Sequence, residues 1–421
     1  MITFVFVTFF FIALIGVLSA TSSLRTPIGN FLVLSFLARL PLHWVSRNVV
    51  FFSHGTAKGD WLIYEMLATY IARKWEIQGV HYATDPELGY TTLPSNIFAV
   101  LVYLNGGPTP LGCTALVAFC CCVTALNLYF LGIELDVDPK ISLRFTVLFF
   151  SSPAILYHTS DMFKDGLVLM FVLGAVASGI RLSRRFSILD ALLGLLSLWA
   201  LWYVRYYMVF LSCGPFLIGF IGLRSKGWIQ AFLMGIIFLA GIGFLAGSNL
   251  TSEVSTMAQK TFALSTDKNV GNDLALGASG VRFEAGPGAY PLKVIYTLFS
   301  PFPWAGGSLG FNIGKIDTLF FYYIMYRAYF GVRKLWKEDR VLLGMLASFV
   351  VPTTIAYAMT MANVGLILRQ RLPVVAVVML LAMRSWPSPG SERTESERRP
   401  SPMRGVVRPV RVAVRRPART M

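Results

Sequence analysis

Four clusters of charged residues stand at the edges of long apolar runs. The first is Lys58-Gly59-Asp60, just ahead of the run DWLIYEMLATYIARKWE. Asp60 suits a helix N-cap. It equally suits a carboxylate at the membrane–water boundary, able to take a proton from an attacking hydroxyl or hold a metal beside a phosphate. The second is His158-Thr159-Ser160-Asp161-Met162-Phe163-Lys164-Asp165, a polar knot between two apolar runs. As a plain turn it would use Asp161 as a cap and let Lys164 snorkel to water. Asp165, however, opens the next run, where nothing solvates it cheaply, and Lys164 could neutralise it or hold a phosphate; His158 and Asp161 join these candidates. The third is Arg205 in Trp202-Tyr203-Val204-Arg205-Tyr206-Tyr207. Its guanidinium can clamp a phosphate through two parallel hydrogen bonds, or stack on the tyrosines. The fourth is Arg369-Gln370-Arg371, which fits an anionic ligand or a salt bridge to a loop acid.

The elements that position these groups follow from composition. The chain has 421 residues, 55% hydrophobic and only 14% charged; a soluble domain needs about a quarter of its residues charged. A soluble enzyme, a disordered chain and a disulfide scaffold are excluded. The formal charge of +16 does not point to nucleic acid, because in a membrane protein basic residues first serve orientation and lipid contact. Five cysteines, four of them within 113–122, show no CxxC spacing, and four scattered histidines make no metal cage.

A spanning helix needs about 20 mostly apolar residues. Candidates are 2–20, 29–45, 110–133, 142–158, 164–182, 188–203, 206–223, 228–247, 315–331, 341–361 and 371–384. The expected fold is therefore an all-α polytopic membrane protein with about eleven transmembrane helices. Residues 1–20 faintly resemble a cleavable signal but lack a basic start, so they are counted as a span. The clusters Arg181/Arg184/Arg185, Arg224/Lys226 and Arg333/Lys334/Lys337/Arg340 fall on one side, with the tail after Ser385. By the positive-inside bias that side is cytoplasmic. The N-terminus and the large loops 46–109 and 248–314 are then outside.

Within the first outer loop, Glu65, Thr69, Arg73 and Glu76 form one narrow polar stripe on an otherwise apolar helix over 60–76. The apolar stretch 93–105 is too short to span. Both are expected as interfacial helices. Residues 1–384 form one transmembrane domain, and 385–421, with nine Arg and three Glu, a disordered cytoplasmic tail drawn to anionic headgroups. Asp136-Val137-Asp138 spells a DxD, but on the inner side, away from the other clusters. The Gly-rich stretch in 248–292 lacks the strand and Lys-Ser/Thr pair of a phosphate loop.

This layout resembles the GT-C superfamily of integral-membrane glycosyltransferases, specifically bacterial relatives of the dolichyl-phosphate-mannose protein mannosyltransferases. The resemblance runs over 29–180. It rests on Gly59-Asp60 with Tyr64, Ala68 and the helix to Trp75, on LGYTTLPSNIFAVLVYLNGGPTP, and on the turn from Ser152-Pro153 to Lys164-Asp165. NVGLILRQRLPVV at 363–375 is a weaker echo. An added first span, Asp60-Trp61 in place of an Asp-Glu pair, and no large C-terminal soluble domain depart from the pattern.

The resemblance implies sugar transfer from a polyprenyl-phosphate-linked donor to a glycan, lipid or protein acceptor, at the outer face of a bacterial cytoplasmic membrane. Asp60 would be the base or metal contact, and Asp165 or Asp161 the second-loop acid. Lys164, Arg205, Arg369 and Arg371 would hold the lipid phosphate, and magnesium or manganese is compatible with this chemistry. Two other classes compete with it, the second disfavoured because the charges stand at one boundary and the halves show no internal repeat. A polysaccharide polymerase or ligase of the O-antigen type would rely on Arg205, Arg369 and Arg371. A transporter or flippase would place charges inside the spans.

Overall fold

The computed structural model describes residues 2–49, 60–84, 92–221, 290–306, 309–360 and 364–386. Expectations for Lys58-Gly59, the span at 228–247, most of the loop 248–314 and nearly all of the tail lie outside them. The described residues contain fifteen helices and no strand. In chain order they are α1 (Ile2–Ala20), α2 (Pro27–Asn48), α3 (Asp60–Gln78), α4 (Thr92–Asn105), α5 (Pro110–Glu134), α6 (Pro139–Phe150), α7 (Pro153–His158), α8 (Asp165–Arg184), α9 (Ile188–Arg205) and α10 (Tyr207–Ile221). After the undescribed stretch come α11 (Tyr290–Phe299), α12 (Leu309–Glu338), α13 (Arg340–Thr360), α14 (Val364–Gln370) and α15 (Leu372–Met383). Six of these, α1, α2, α5, α8, α9 and α13, are long and apolar enough to cross a membrane. The chain is an all-α membrane protein.

Local sequence explains where these helices begin. Thr26 caps α2 by accepting from the Gly29 amide, and Pro27 follows at the first turn; Asp138 and Pro139 do the same for α6. Proline suits this position because the first turn has no use for its missing N–H. The same chemistry breaks an expected span. The apolar run 142–158 is divided into α6 and α7 by Ser151-Ser152-Pro153, since proline cannot donate back into the preceding turn.

The bundle is built around α5 and α8, which pack on each other and on α1, α2, α9 and α10. Every residue of α15 is buried, between α12 and α13. Glycine permits the closest crossing. A Cβ on Gly219 of α10 would lie 1.9 Å from the Gly179 carbonyl oxygen of α8.

Charges gather at two opposite ends. At one, Arg181 and Arg184 bind Glu134, and Arg384 binds Glu338 and the Leu135 carbonyl. There α5, α8, α12 and α15 finish. Asp136 belongs to this end, in a left-handed turn (φ 59°), and Asp138 is used as the α6 cap, so the DxD is remote from the Asp165 end.

At the Asp165 end, α3 packs along α4. Tyr64, Ala68, Ile71, Ala72 and Trp75 form the buried face. Ile63, Met66, Tyr70 and Ile77, 43–86% exposed, form a second apolar face on the far side of the polar stripe. A helix with two apolar faces and one polar seam suits a position at the membrane surface.

Candidate functional site

Asp165 is the first residue of α8 and only 5% exposed. Two buried arginines close on it. Arg205, the last residue of α9, donates from Nη2 to Oδ1 at 3.0 Å, and Arg369 of α14 donates from Nε to Oδ2 at 2.5 Å. Lys164 and His158 lie close enough to act on the same carboxylate. Around Arg205 stand Tyr64 of α3, Tyr207 of α10 and Tyr357 of α13. Tyr207 donates to Gln370 Oε1 at 3.1 Å, tying α10 to the helix that carries Arg369. The Arg369 guanidinium lies 5.8 Å from the centre of the Phe163 ring.

This arrangement has direct chemical consequences. Both carboxylate oxygens of Asp165 are occupied by guanidinium donors, one from each arginine. Asp165 is thereby suited to orienting arginines rather than to acting as a base. The trio carries a net positive charge where water is scarce, which favours an anionic ligand.

Asp161 lies four residues upstream and is fully buried. It accepts from Arg47 through Nη2 (3.0 Å) and Nε (3.1 Å), from the Ser46 hydroxyl (3.0 Å) and from the Met162 amide (2.8 Å). His43 Nδ1 is 3.5 Å away and shares its position with the Thr114 hydroxyl at 2.9 Å. Burial pushes the Asp161 carboxyl up. The hydrogen bonds from His43 and Arg47, with their charges, outweigh it and hold the group below its ordinary value. Arg47 also pairs with Glu65 of α3 at 3.0 Å, and its guanidinium covers the Trp61 ring at 4.3 Å. One side chain thus fastens the surface helix α3 to the polar turn before α8.

Beside these clusters lies an apolar crevice of about 230 Å³ between α2, α7, α12 and α14. Leu42, Val45, Leu156, Ile313 and Leu368 give it an oily wall, and Ser46, His158 and Asp317 are its polar points. His158 ends α7, its ring 5.6 Å from Phe163, so the crevice reaches the neighbourhood of Arg369.

The expected residues therefore part company. Asp165, Arg205 and Arg369 meet, with Lys164 and His158 beside them, and Asp161 heads an adjacent cluster. Arg371 does not join them. It donates to the Leu298 and Ser300 carbonyls at 3.1 and 2.6 Å and to Thr318 Oγ1 at 2.9 Å, and it covers the Phe321 ring. Its donors are used to hold α11 and α12 to α15. Asp60 opens α3, but its side chain lies outside the described residues.

Sequence reading passed over Arg39, Arg47, His43 and Asp317. Arg39 carried a signal, since a charge inside an apolar run is costly and marks a functional or structural demand. Asp317 carried a weaker one of the same kind.

Among the described residues no three His, Cys, Asp or Glu side chains gather as a metal would require. The Asp60 side chain, beside which a divalent cation is expected, lies outside those residues, and no step is assigned to a metal. Comparison with protein-family models, curated proteins and solved structures finds no match to this chain. Its geometry alone carries the functional argument.

Proposed function

We propose that this protein is a membrane glycosyltransferase that moves a sugar from a polyprenyl-phosphate donor to a glycan, lipid or protein acceptor. The observation that carries this reading is the pair Arg205 and Arg369, buried on Asp165 beside an apolar crevice. The crevice suits an isoprenoid chain, and the arginines suit the phosphate that leaves when the sugar–phosphate bond breaks. Asp165 orients them, and Asp60, at the head of α3, is the base for the acceptor hydroxyl.

In the full reading the protein has about eleven spans in a bacterial cytoplasmic membrane, with the N-terminus and the Asp165 end outside. Its basic tail lies on the cytoplasmic side against anionic lipid. The decisive experiment is purification with the bound lipid, identification of the polyprenyl-phosphate species by mass spectrometry, and turnover with candidate acceptors. Asp60→Asn is expected to abolish transfer and leave insertion intact; full transfer by that variant would remove Asp60 from the mechanism.

One observation favours a second reading, a transporter or flippase. Arg39 is buried twelve residues past the start of α2 and nine before its end, and the α6–α7 helix is discontinuous. Charges inside spans and broken helices are features of transport proteins. Movement of the lipid between leaflets of a vesicle, with no sugar transfer, would support that class.

A further inference from the structure

Arg39 and Asp317 are opposite charges buried in two different helices, α2 and α12, and both end on the short helix α7. Arg39 is 0% exposed, and among the described residues every hydrogen-bond acceptor it has is neutral. Nη1 donates to the Ser35 carbonyl at 2.8 Å and also to the Ser35 hydroxyl; Nη2 donates to Cys121 Sγ at 3.1 Å. The remaining two contacts explain the charge. Nη2 also reaches the Phe150 carbonyl at 3.4 Å, the last residue of α6, and Nε donates to Thr159 Oγ1 at 2.9 Å. Thr159 is the C-terminal cap of α7, and its hydroxyl passes the interaction on to the Ile155 carbonyl at 2.6 Å. The guanidinium thus faces the C-terminal ends of two consecutive helices, where unpaired carbonyls concentrate negative partial charge.

At the other end of α7 the sign is reversed. Asp317 Oδ2 accepts from the Ala154 amide at 3.0 Å, and the Ser152 hydroxyl reaches the same carboxylate. Ser152 makes no side-chain cap bond to the helix, so Asp317 supplies the acceptor for the buried first-turn amide of Ala154. An anion at the N-terminus and a cation at the C-terminus both complement the backbone charges of the helix between them.

We propose that Arg39 and Asp317 are a pair of positioning residues that clamp α7 by its two ends and so set the place of the His158–Asp165 turn. That turn carries the partners of Arg47, Arg205 and Arg369, and α7 itself forms one wall of the apolar crevice. The clamp explains why an arginine with no acidic partner among the described residues is retained inside an apolar helix. Its effect on ligand binding rests on the phosphate-binding reading above; its effect on α7 does not.

The test uses the full chain in lipid nanodiscs, with Cys213 replaced by serine and a cysteine introduced at the buried Ser160. Maleimide labelling of that thiol reports release of the turn, and a cysteine at buried Ser178 in α8 reports general loosening. Arg39→Gln and Asp317→Asn are each expected to speed labelling at 160 about tenfold with little change at 178. Arg39→Lys, which keeps the charge near the helix ends, should recover most of the protection. Unchanged labelling at 160, equal gains at 160 and 178, or no difference between Gln and Lys would each overturn the clamp. In the same samples a short-chain polyprenyl monophosphate serves as the binding probe. Weaker binding in Arg39→Gln than in Arg39→Lys extends the clamp to the site. Failure of the unmodified protein to bind the probe would count against the phosphate-binding reading, and the labelling result would still decide the clamp.

Discussion

Replacing Asp165 by asparagine removes one charge and almost no volume, and it leaves Arg205 and Arg369 facing each other in a buried site. Each contact is at 2.5–3.0 Å. Two unit charges at about 3 Å attract by about 5 kcal/mol at an effective dielectric constant near 20. Desolvation of three buried ions offsets much of the combined attraction. The cost of removing one partner is larger than the net worth of the pair, because it strands the others; about 3–5 kcal/mol is the usual range. Asp165→Asn should therefore lower unfolding stability by that amount in a mixed-micelle SDS titration. The double variant Asp165→Asn/Arg205→Gln should recover part of the loss by removing one stranded cation. If the trio binds phosphate, inorganic phosphate at about 100 times its dissociation constant should return about 2.7 kcal/mol to the single variant. A single variant within about 0.5 kcal/mol of the unmodified protein would refute the view that these charges are buried and interdependent.

Other outcomes follow from the same geometry. Because the Asp161 carboxyl is held below its ordinary value in the folded chain, its contribution is fully present above the unfolded value of about 3.9 and is lost as pH falls through the folded one. Thermal stability measured from pH 7 to pH 3 should fall at the acid end, and Asp161→Asn should flatten that fall. Gly219→Val puts a side chain into the Gly179 carbonyl and should sharply reduce the yield of monodisperse protein in size-exclusion chromatography. Gly344→Ala, which meets nothing within 4 Å, should be tolerated. Impermeant thiol labelling of whole cells should reach a cysteine at exposed Gln78 and not one at exposed Arg185. The reverse result would invert the proposed orientation.

Apolar length placed most helices in the sequence within a few residues, because a run of 20 apolar residues has few alternatives to a helix. The runs at 2–20, 110–133 and 341–361 return as α1, α5 and α13. Residues 142–158 misled for a definable reason: their average hydropathy hid Ser151-Ser152-Pro153, and a proline there outweighs the apolar pattern. Within the candidate site, the convergence of Asp165, Arg205 and Arg369 was legible as charges at the same predicted boundary. Their pairing was not, because 40 and 204 residues separate the partners of Asp165. Arg371 looked equivalent to Arg369, but two positions along this chain turn the side chain from the acidic cluster to the carbonyls of Leu298 and Ser300. Arg47 could not be assigned a partner from sequence, since Asp161 and Glu65 both reach it from other elements.

The short, wholly buried α15 bears on how the protein is made. Twelve residues rise about 18 Å, well short of a hydrocarbon layer of about 30 Å. Such a segment has too little length to cross a bilayer alone during synthesis. It must be received by neighbours already in place, and the Leu381 carbonyl lies so near Gly331 of α12 that no side chain would fit between them. On that reading, packing of α12 against α13 is expected to come before the burial of α15. A defect in that packing would appear as degradation of newly made chains, before any loss of activity could be measured.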